Sequence, residues 1–473
     1  MGSPLKYYLA IDIGASSGRH ILGHMENGRM VTEEIWRFEN RQIRKDGYDC
    51  WDLDHLWSGI LEGLKACKAA GKIPETIGID TWAVDFVLLD KEDQLIGNAV
   101  TYRDSRTEKM DKVFEKFIPF DLVYNRTGIQ KQSFNTIYQL IALKREHPEQ
   151  LKEAEWLLMI PDYFNFKLTG VKQNEYTNAT STGMIYTITK TWDQGIVGAL
   201  TFPWKLFRPL AMPGTVLGGL TPEVQELVGF NSTVILPATH DTASAFLAVP
   251  AKDDNAVYIS SGTWSLLGVE NDRAITTKES QKHNFTNEGG AWGRYRYLKN
   301  IMGLWMIQSI RRELQEKGEE WTFAQLAEEA RKAEGFAAVI DVNKDRFLAP
   351  ESMIEAIKAE CAENGQPVPE TVGEIAQTIY SGLALCYKEA IENLQTLTGK
   401  TYTSINIVGG GSQDAYLNER TAKATGLPVY AGPTEGTAIG NLLVQMIEGG
   451  DLQDLSHARA VIRDSFDIKE IQA

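Results

Sequence analysis

Tyr7-Tyr8-Leu9-Ala10-Ile11-Asp12-Ile13-Gly14-Ala15-Ser16-Ser17-Gly18-Arg19 decides the reading of the chain. Residues 7–11 have the apolar, aromatic and β-branched character of a buried strand, which ends at an acid before a turn of small residues. Residues 19–25 continue as a second strand, Asn27-Gly28 is a hairpin signal, and residues 30–36 return as a third. The start is therefore an antiparallel meander. Asp52 or Asp54 can cap a helix whose Leu56, Ile60, Leu61 and Leu64 share one face, and residues 77–80 form the next strand.

The device recurs. Residues 256–259 are strand-like, Ser260-Ser261-Gly262-Thr263 is a second small-residue turn, and residues 264–269 return. Between the halves, residues 249–255 lose apolar periodicity and gather breakers. The boundary is placed there, giving domains over 5–250 and 255–465. Beyond it, residues 372–394 carry apolar positions at three- and four-residue steps and predict a long amphipathic helix. Residues 405–408 form a strand broken by Gly409-Gly410-Gly411, with a helix expected from Gln413; residues 429–431 and a helix over 437–447 close the domain.

Composition narrows the function classes. The 473 residues hold 43% hydrophobic and 23% charged side chains, an ordinary globular balance with room for two large domains. A net charge of −15 repels nucleic-acid backbones and anionic lipid, so neither partner is expected. An anionic substrate would need local devices: backbone N–H groups, a few arginines, a divalent cation. Cys50, Cys67, Cys361 and Cys386 show no CxxC spacing, which predicts reduced thiols and a cytoplasmic setting. No stretch approaches the ~18 apolar residues of a membrane span, and Gly2, Ser3 and Pro4 read as a cloning remnant.

Small residues let backbone N–H groups approach an anion, so the turn after Asp12 can cradle phosphate, although an ordinary tight hairpin has the same composition. There is no GxxxxGK[ST], and the glycines join strand to strand rather than strand to helix. The second turn strengthens the phosphate reading, since two such hairpins can grip one triphosphate. Gly409-Gly410-Gly411 offers a flat backbone surface for a purine ring. Asp12 at the strand tip suits Mg²⁺, a hard cation that prefers oxygen; a carboxylate bonded to its own turn is the alternative. Asp241, after Thr239-His240, is either a helix N-cap or a base that takes a proton from an attacking hydroxyl. Asp80-Thr81-Trp82-Ala83-Val84-Asp85 has the carboxylates and indole of a sugar-binding wall, and a structural Trp fits equally well. Arg103 and Arg106 can reach phosphate or pair with acids.

Together these motifs, with Tyr102-Arg103-Asp104-Ser105-Arg106, Met159-Ile160-Pro161-Asp162-Tyr163-Phe164, His240-Asp241-Thr242-Ala243-Ser244-Ala245, Ser260-Ser261-Gly262-Thr263-Trp264-Ser265-Leu266, Asn287-Glu288-Gly289-Gly290 and Val408-Gly409-Gly410-Gly411, resemble the FGGY family of carbohydrate kinases over nearly the whole chain. Within it they resemble the members that phosphorylate L-rhamnulose. The resemblance implies an α/β fold of two ribonuclease-H-like domains, of the actin, hexokinase and Hsp70 superfamily, with a deep interdomain cleft. It implies ATP and Mg²⁺ as cofactors, L-rhamnulose and ATP as small-molecule partners, and a monomer or weak homodimer. Asp241 would be the catalytic base and Asp12 the metal ligand. Ala15, Ser16, Ser17, Gly18 and Arg19 would form the first phosphate loop, and Thr263, Asn300, Gln308 and Gly410 would contact ATP. Ala83, Asp85, His240, Asp241 and Thr242 would line the sugar pocket. The family usually carries Gly where this chain has Ala83, which keeps another ketose or polyol (fuculose, ribulose, xylulose) open as acceptor. Trp292 is also atypical. A reading of another class is an actin-like protein that uses ATP to open and close without phosphotransfer.

Overall fold

The computed structural model describes residues 5–473; residues 2–4, read above as a remnant, lie outside them. The chain forms two compact units, each assembled from separated segments. The first comprises Met1–Ala248, Glu270–Tyr297 and Thr437–Ser465; the second comprises Val249–Val269, Leu298–Gly436 and Phe466–Ala473.

In the first unit the sheet order is Val216–Gly219, Thr233–Ile235, Pro74–Thr81, Tyr7–Ile13, Ser17–Glu26, Arg29–Glu39. The last three strands are the expected meander, and Tyr7–Ile13 pairs in parallel with Pro74–Thr81, Asp12 opposite Asp80. Tyr7–Ile13 lies mid-sheet and is buried from Tyr8 onward, which is why its apolar run is nearly continuous. Asp52 is the cap of the helix Leu53–Ala69: its side chain accepts the His55 N–H, and Leu56, Ile60, Leu64 and Cys67 face the core.

The second unit repeats the order. Trp264–Asn271 pairs antiparallel with Ala256–Ser261, which runs parallel to Ser404–Val408 and this in turn to Val429–Ala431; Lys469–Ile471 closes the edge antiparallel. The helix Val372–Thr398 starts with a Thr371/Glu374 capping box and ends at the left-handed Gly399. One expectation shifts. Residues 410–413 form a single 3₁₀ turn, and the helix begins at Ala415 because Asp414 is the residue whose carboxylate accepts the Leu417 N–H.

Candidate functional site

In the first unit three carboxylates gather at the sheet's carboxyl end. Asp12 and Asp80 occupy opposed positions on parallel strands, so their side chains leave the same face. Asp241 begins the short helix Asp241–Leu247. Its strand-end approach is fixed by Thr239, whose carbonyl accepts the Thr81 N–H at 2.9 Å. The N–H and hydroxyl of Thr239 are in turn held by the buried Glu175, at 3.1 and 2.7 Å.

The cap reading of Asp241 does not hold. His240 is the N-cap, without a side-chain cap bond, and among the described residues the Asp241 carboxylate accepts only the neighbouring Thr242 N–H at 2.6 Å. The side chain is 28% exposed, so water reaches it. The surrounding protein nevertheless disfavours its charge, and with the Asp12 carboxylate nearby its pKa is pushed up to about 7; the Thr242 N–H and Arg296 act the other way. Asp80, fully buried and facing Asp12 and Asp241, is raised well above the carboxylate range despite a 2.6 Å bond from Asn441. Its Oδ1 is buried without a hydrogen-bond partner among the described residues. Arg19 donates to Asp12 Oδ2 at 2.5 Å and offsets part of this negative charge. The hard oxygens of Asp12 and Asp80, one of them orphaned, fit a hydrated Mg²⁺, which takes one or two carboxylates and keeps several waters. Among the described residues no three His, Cys, Asp or Glu side chains form a closed metal cage.

The first hairpin has the geometry a phosphate cradle needs. Gly14 N–H closes on Ser17 O at 2.9 Å and Asn40 braces the turn through Ser16 O and Gly14 O. Among the described residues, the Ala15 and Ser16 amides donate to no protein acceptor. Gly18 cannot be replaced cheaply, because a Cβ there would stand 2.2 Å from the Phe38 ring.

The sugar-wall motif folds as a strained turn. Asp85 N–H donates to Ala83 O across Val84, whose φ of +68° is unusual for a β-branched residue. Thr136 and Gln139 hold the Val84 carbonyl and Ser181 holds its N–H. Ala83 is half-buried beside this turn. Asp85 is buried and accepts from Trp51 Nε1 (2.6 Å), Trp82 Nε1 (3.0 Å), Tyr102 N–H (3.1 Å) and Gln139 Nε2 (2.9 Å). It organises the wall, locking the Trp51 and Trp82 rings 4.1 Å apart.

His240 and Thr242 meet a residue that sequence reasoning missed. Arg296 is fully buried and donates to Gly289 O (3.0 Å), Thr242 Oγ1 (2.7 Å), His240 Nδ1 (3.0 Å) and Glu288 Oε2 (2.9 Å). Burial and the Arg296 charge lower the His240 pKa well below its ordinary value, so the ring is neutral. No periodicity marks Arg296. Asp80, by contrast, stood in the quoted motif, but only the strand register places it opposite Asp12. Trp292 occupies a left-handed conformation (φ +51°) at an exposed tip between two strands.

In the second unit a cavity of about 570 Å³ opens beside the second hairpin. Leu304, Ile307, Phe323, Ala327 and Tyr416 supply apolar walls, Gly410 and Gly411 one side, and Gln308 a polar contact. Arg311 stacks over Phe323 and Arg331 over Tyr416, each at 4.8 Å. Thr263 donates to Gln308 at 3.2 Å, so Thr263, Gln308 and Gly410 are brought together here. Asn300 lies half-buried on the strand Tyr295–Met302, outside this wall. The size, apolar lining and glycine edge suit a nucleoside.

The model for the N-terminal domain of the FGGY family of carbohydrate kinases matches residues 7–248, and the C-terminal domain model matches residues 257–448. A rhamnulokinase of Oceanobacillus iheyensis is 49% identical over 461 residues, covering 97% of this chain and 97% of its own. A rhamnulokinase of Halalkalibacterium halodurans is 50% identical over 466 residues, covering 98% of each. Among solved structures, gluconate kinase from Lactobacillus acidophilus superposes with a TM-score of 0.80 at 19% identity, covering 99% of this chain and 93% of that one, a likeness of fold.

Proposed function

Since the chain belongs to the FGGY family of carbohydrate kinases, we propose that it transfers the γ-phosphoryl group of ATP to the C1 hydroxyl of L-rhamnulose, giving L-rhamnulose 1-phosphate and ADP. The relatives at 49% and 50% identity over nearly their full length, both rhamnulokinases, support that acceptor over the other sugars and over a purely nucleotide-gated binding role. The observation that carries the chemistry is Asp241, a water-accessible carboxylate with a pKa near neutrality and, among the described residues, one protein hydrogen bond. Such a group can take the hydroxyl proton as the oxygen attacks in line.

In this reading the free Ala15 and Ser16 amides and Arg19 bind phosphate oxygens, together with Ser17 and Gly18 of the same turn. Thr263, Asn300, Gln308 and Gly410 hold the nucleotide. His240, Thr242 and Ala83 line the sugar, with Asp85 behind the tryptophan wall. Asp12 and Asp80 hold magnesium, which when bound neutralises charge on the phosphate oxygens. The domains span 5–250 and 255–465, and the enzyme works in the cytoplasm as a monomer or weak homodimer; four unpaired cysteines are consistent with a reducing compartment.

Measuring ADP release with a panel of ketoses and polyols tests the reading. The highest kcat/KM is expected with L-rhamnulose. Higher efficiency with xylulose, ribulose or fuculose overturns the acceptor, and ATP binding without sugar-dependent ADP release overturns the kinase. A further expectation concerns Gly411, where a Cβ would stand 2.0 Å from Ser261 Oγ. Gly411→Ala is expected to displace the loop and raise the KM for ATP by ~10-fold, leaving that for the sugar unchanged. Steady-state kinetics with each substrate varied decides it.

A further inference from the structure

Arg296 makes four hydrogen bonds from a fully buried position, and a guanidinium has donors only. The His240 Nδ1 that meets Arg296 Nη2 at 3.0 Å therefore presents its lone pair. In a neutral ring the proton must then be on Nε2. That nitrogen faces Thr242 Oγ1 at 3.1 Å and Asp241 Oδ1 at 3.6 Å. Thr242 Oγ1 already accepts from Arg296 Nη1 at 2.7 Å. With His240 Nε2–H as second donor both of its lone pairs are used, and its own O–H is left to donate away from the protein network.

We propose that Arg296, anchored by Glu288, is a positioning residue that fixes the proton of His240 on Nε2 and turns the Thr242 hydroxyl into an obligatory donor toward an oxygen of the bound sugar, beside the base Asp241. The last step rests on the kinase reading above; the proton placement does not. Glu288 Oε2 supplies the countercharge at 2.9 Å from Arg296 and 3.4 Å from His240 Nδ1. His240 also meets Asp241 and the hydroxyl of Thr177, which accepts its backbone N–H, while its carbonyl accepts the Ala243 and Ser244 N–H groups. The lowered basicity of the ring agrees with an arrangement in which a cation occupies the Nδ1 side. A donor of fixed direction selects substrates that place a lone pair there and penalises analogues that lack it.

Nitrogen-15 NMR of the full-length enzyme with labelled histidine tests the proton placement, with the His240 resonances identified by their loss in His240→Asn. At neutral pH an unprotonated Nδ1 and a protonated Nε2 are expected. A protonated Nδ1, or an imidazolium, overturns the proposal even if rhamnulose turnover is normal. The double substitution Arg296→Met with Glu288→Leu removes the cation without stranding a buried carboxylate or leaving an amide donor beside His240 Nδ1. It is expected to give mixed tautomers and a KM for the sugar at least ~10-fold higher with the KM for ATP unchanged, and Arg296→Lys, which keeps a donor, to recover the single tautomer. An unchanged single tautomer in a folded double variant sinks the proposal; should that variant not fold, the wild-type spectrum decides alone. Thr242→Ser is expected to retain the wild-type sugar KM and Thr242→Val to raise it; equal values for the two contradict the donor role. Absence of any sugar turnover by the wild type would instead remove the kinase reading and leave the tautomer result standing.

Discussion

Asp241→Asn is expected to lower kcat by about 10²–10⁴-fold, the usual contribution of a positioned general base, while the KM for ATP stays within ~2-fold. The same substitution is expected to stabilise the fold. The folded-state pKa of Asp241 is about 7 against 3.8 for an ordinary aspartate. Between those values the native state holds a proton that the unfolded chain has released, so stability falls as pH rises from about 4 through about 7. Asn escapes that loss. With water reaching the carboxylate the gain is on the order of 1–3 kcal/mol at pH 8, and it vanishes at pH 4. Thermal melts of both proteins at the two pH values measure it. A variant that melts earlier at pH 8 contradicts the raised pKa, and one that turns over at wild-type rates removes Asp241 from the role of base. In the wild type kcat/KM is expected to decline below pH about 7 as the base is protonated.

The second large effect lies far from the chemistry in sequence. Gly440 lies on the helix Gly436–Glu448, and a Cβ there would stand 1.7 Å from Ser244 O and 2.4 Å from its carbonyl carbon. Both atoms are backbone of the Asp241–Leu247 helix, so no rotamer change can relieve the clash. Gly440→Ala is expected to cost about 3 kcal/mol or more, at the upper end for overpacking, and to lower kcat because the helix that must yield carries Asp241. Urea denaturation and steady-state kinetics check the two consequences separately. A midpoint within experimental error of wild type would show that the helices are not so closely seated.

Much of this was legible because the informative residues are adjacent in sequence. The strand, acid and small-residue turn at residues 7–18 and its counterpart at 256–263 carry their own hairpin chemistry, and local rules found both. Local rules also offered Asp52, beside Asp54, as a cap and placed the helix over 372–394, though not its Thr371 cap. They failed where two local options compete: Asp241 has the residue type of an N-cap, but the chain gives that position to His240 and leaves the acid free. Gln413 likewise gave way to Asp414, since only the latter's carboxylate reaches the Leu417 N–H. Arg296 was invisible for a different reason. Its partners His240 and Thr242 are 56 and 54 positions away, and a charged residue in a strand ordinarily faces water. The bond from Asn441 to Asp80 spans 361 positions and has no local signature.

That last bond bears on how the protein is made. Asn441 also donates to Gly78 O, Gln445 donates to Leu9 O and accepts from Thr76, and Tyr8 donates to Asp451. The two central strands of the first sheet thus receive polar partners from a helix, and from Asp451 just beyond it, synthesised hundreds of residues later. During translation those strands emerge from the ribosome without it, and the nascent sheet must wait, with Asp80 unsatisfied, until nearly the whole message has been read. Chains truncated anywhere before the helix are therefore expected to leave these strand groups unpaired rather than to form a smaller working half.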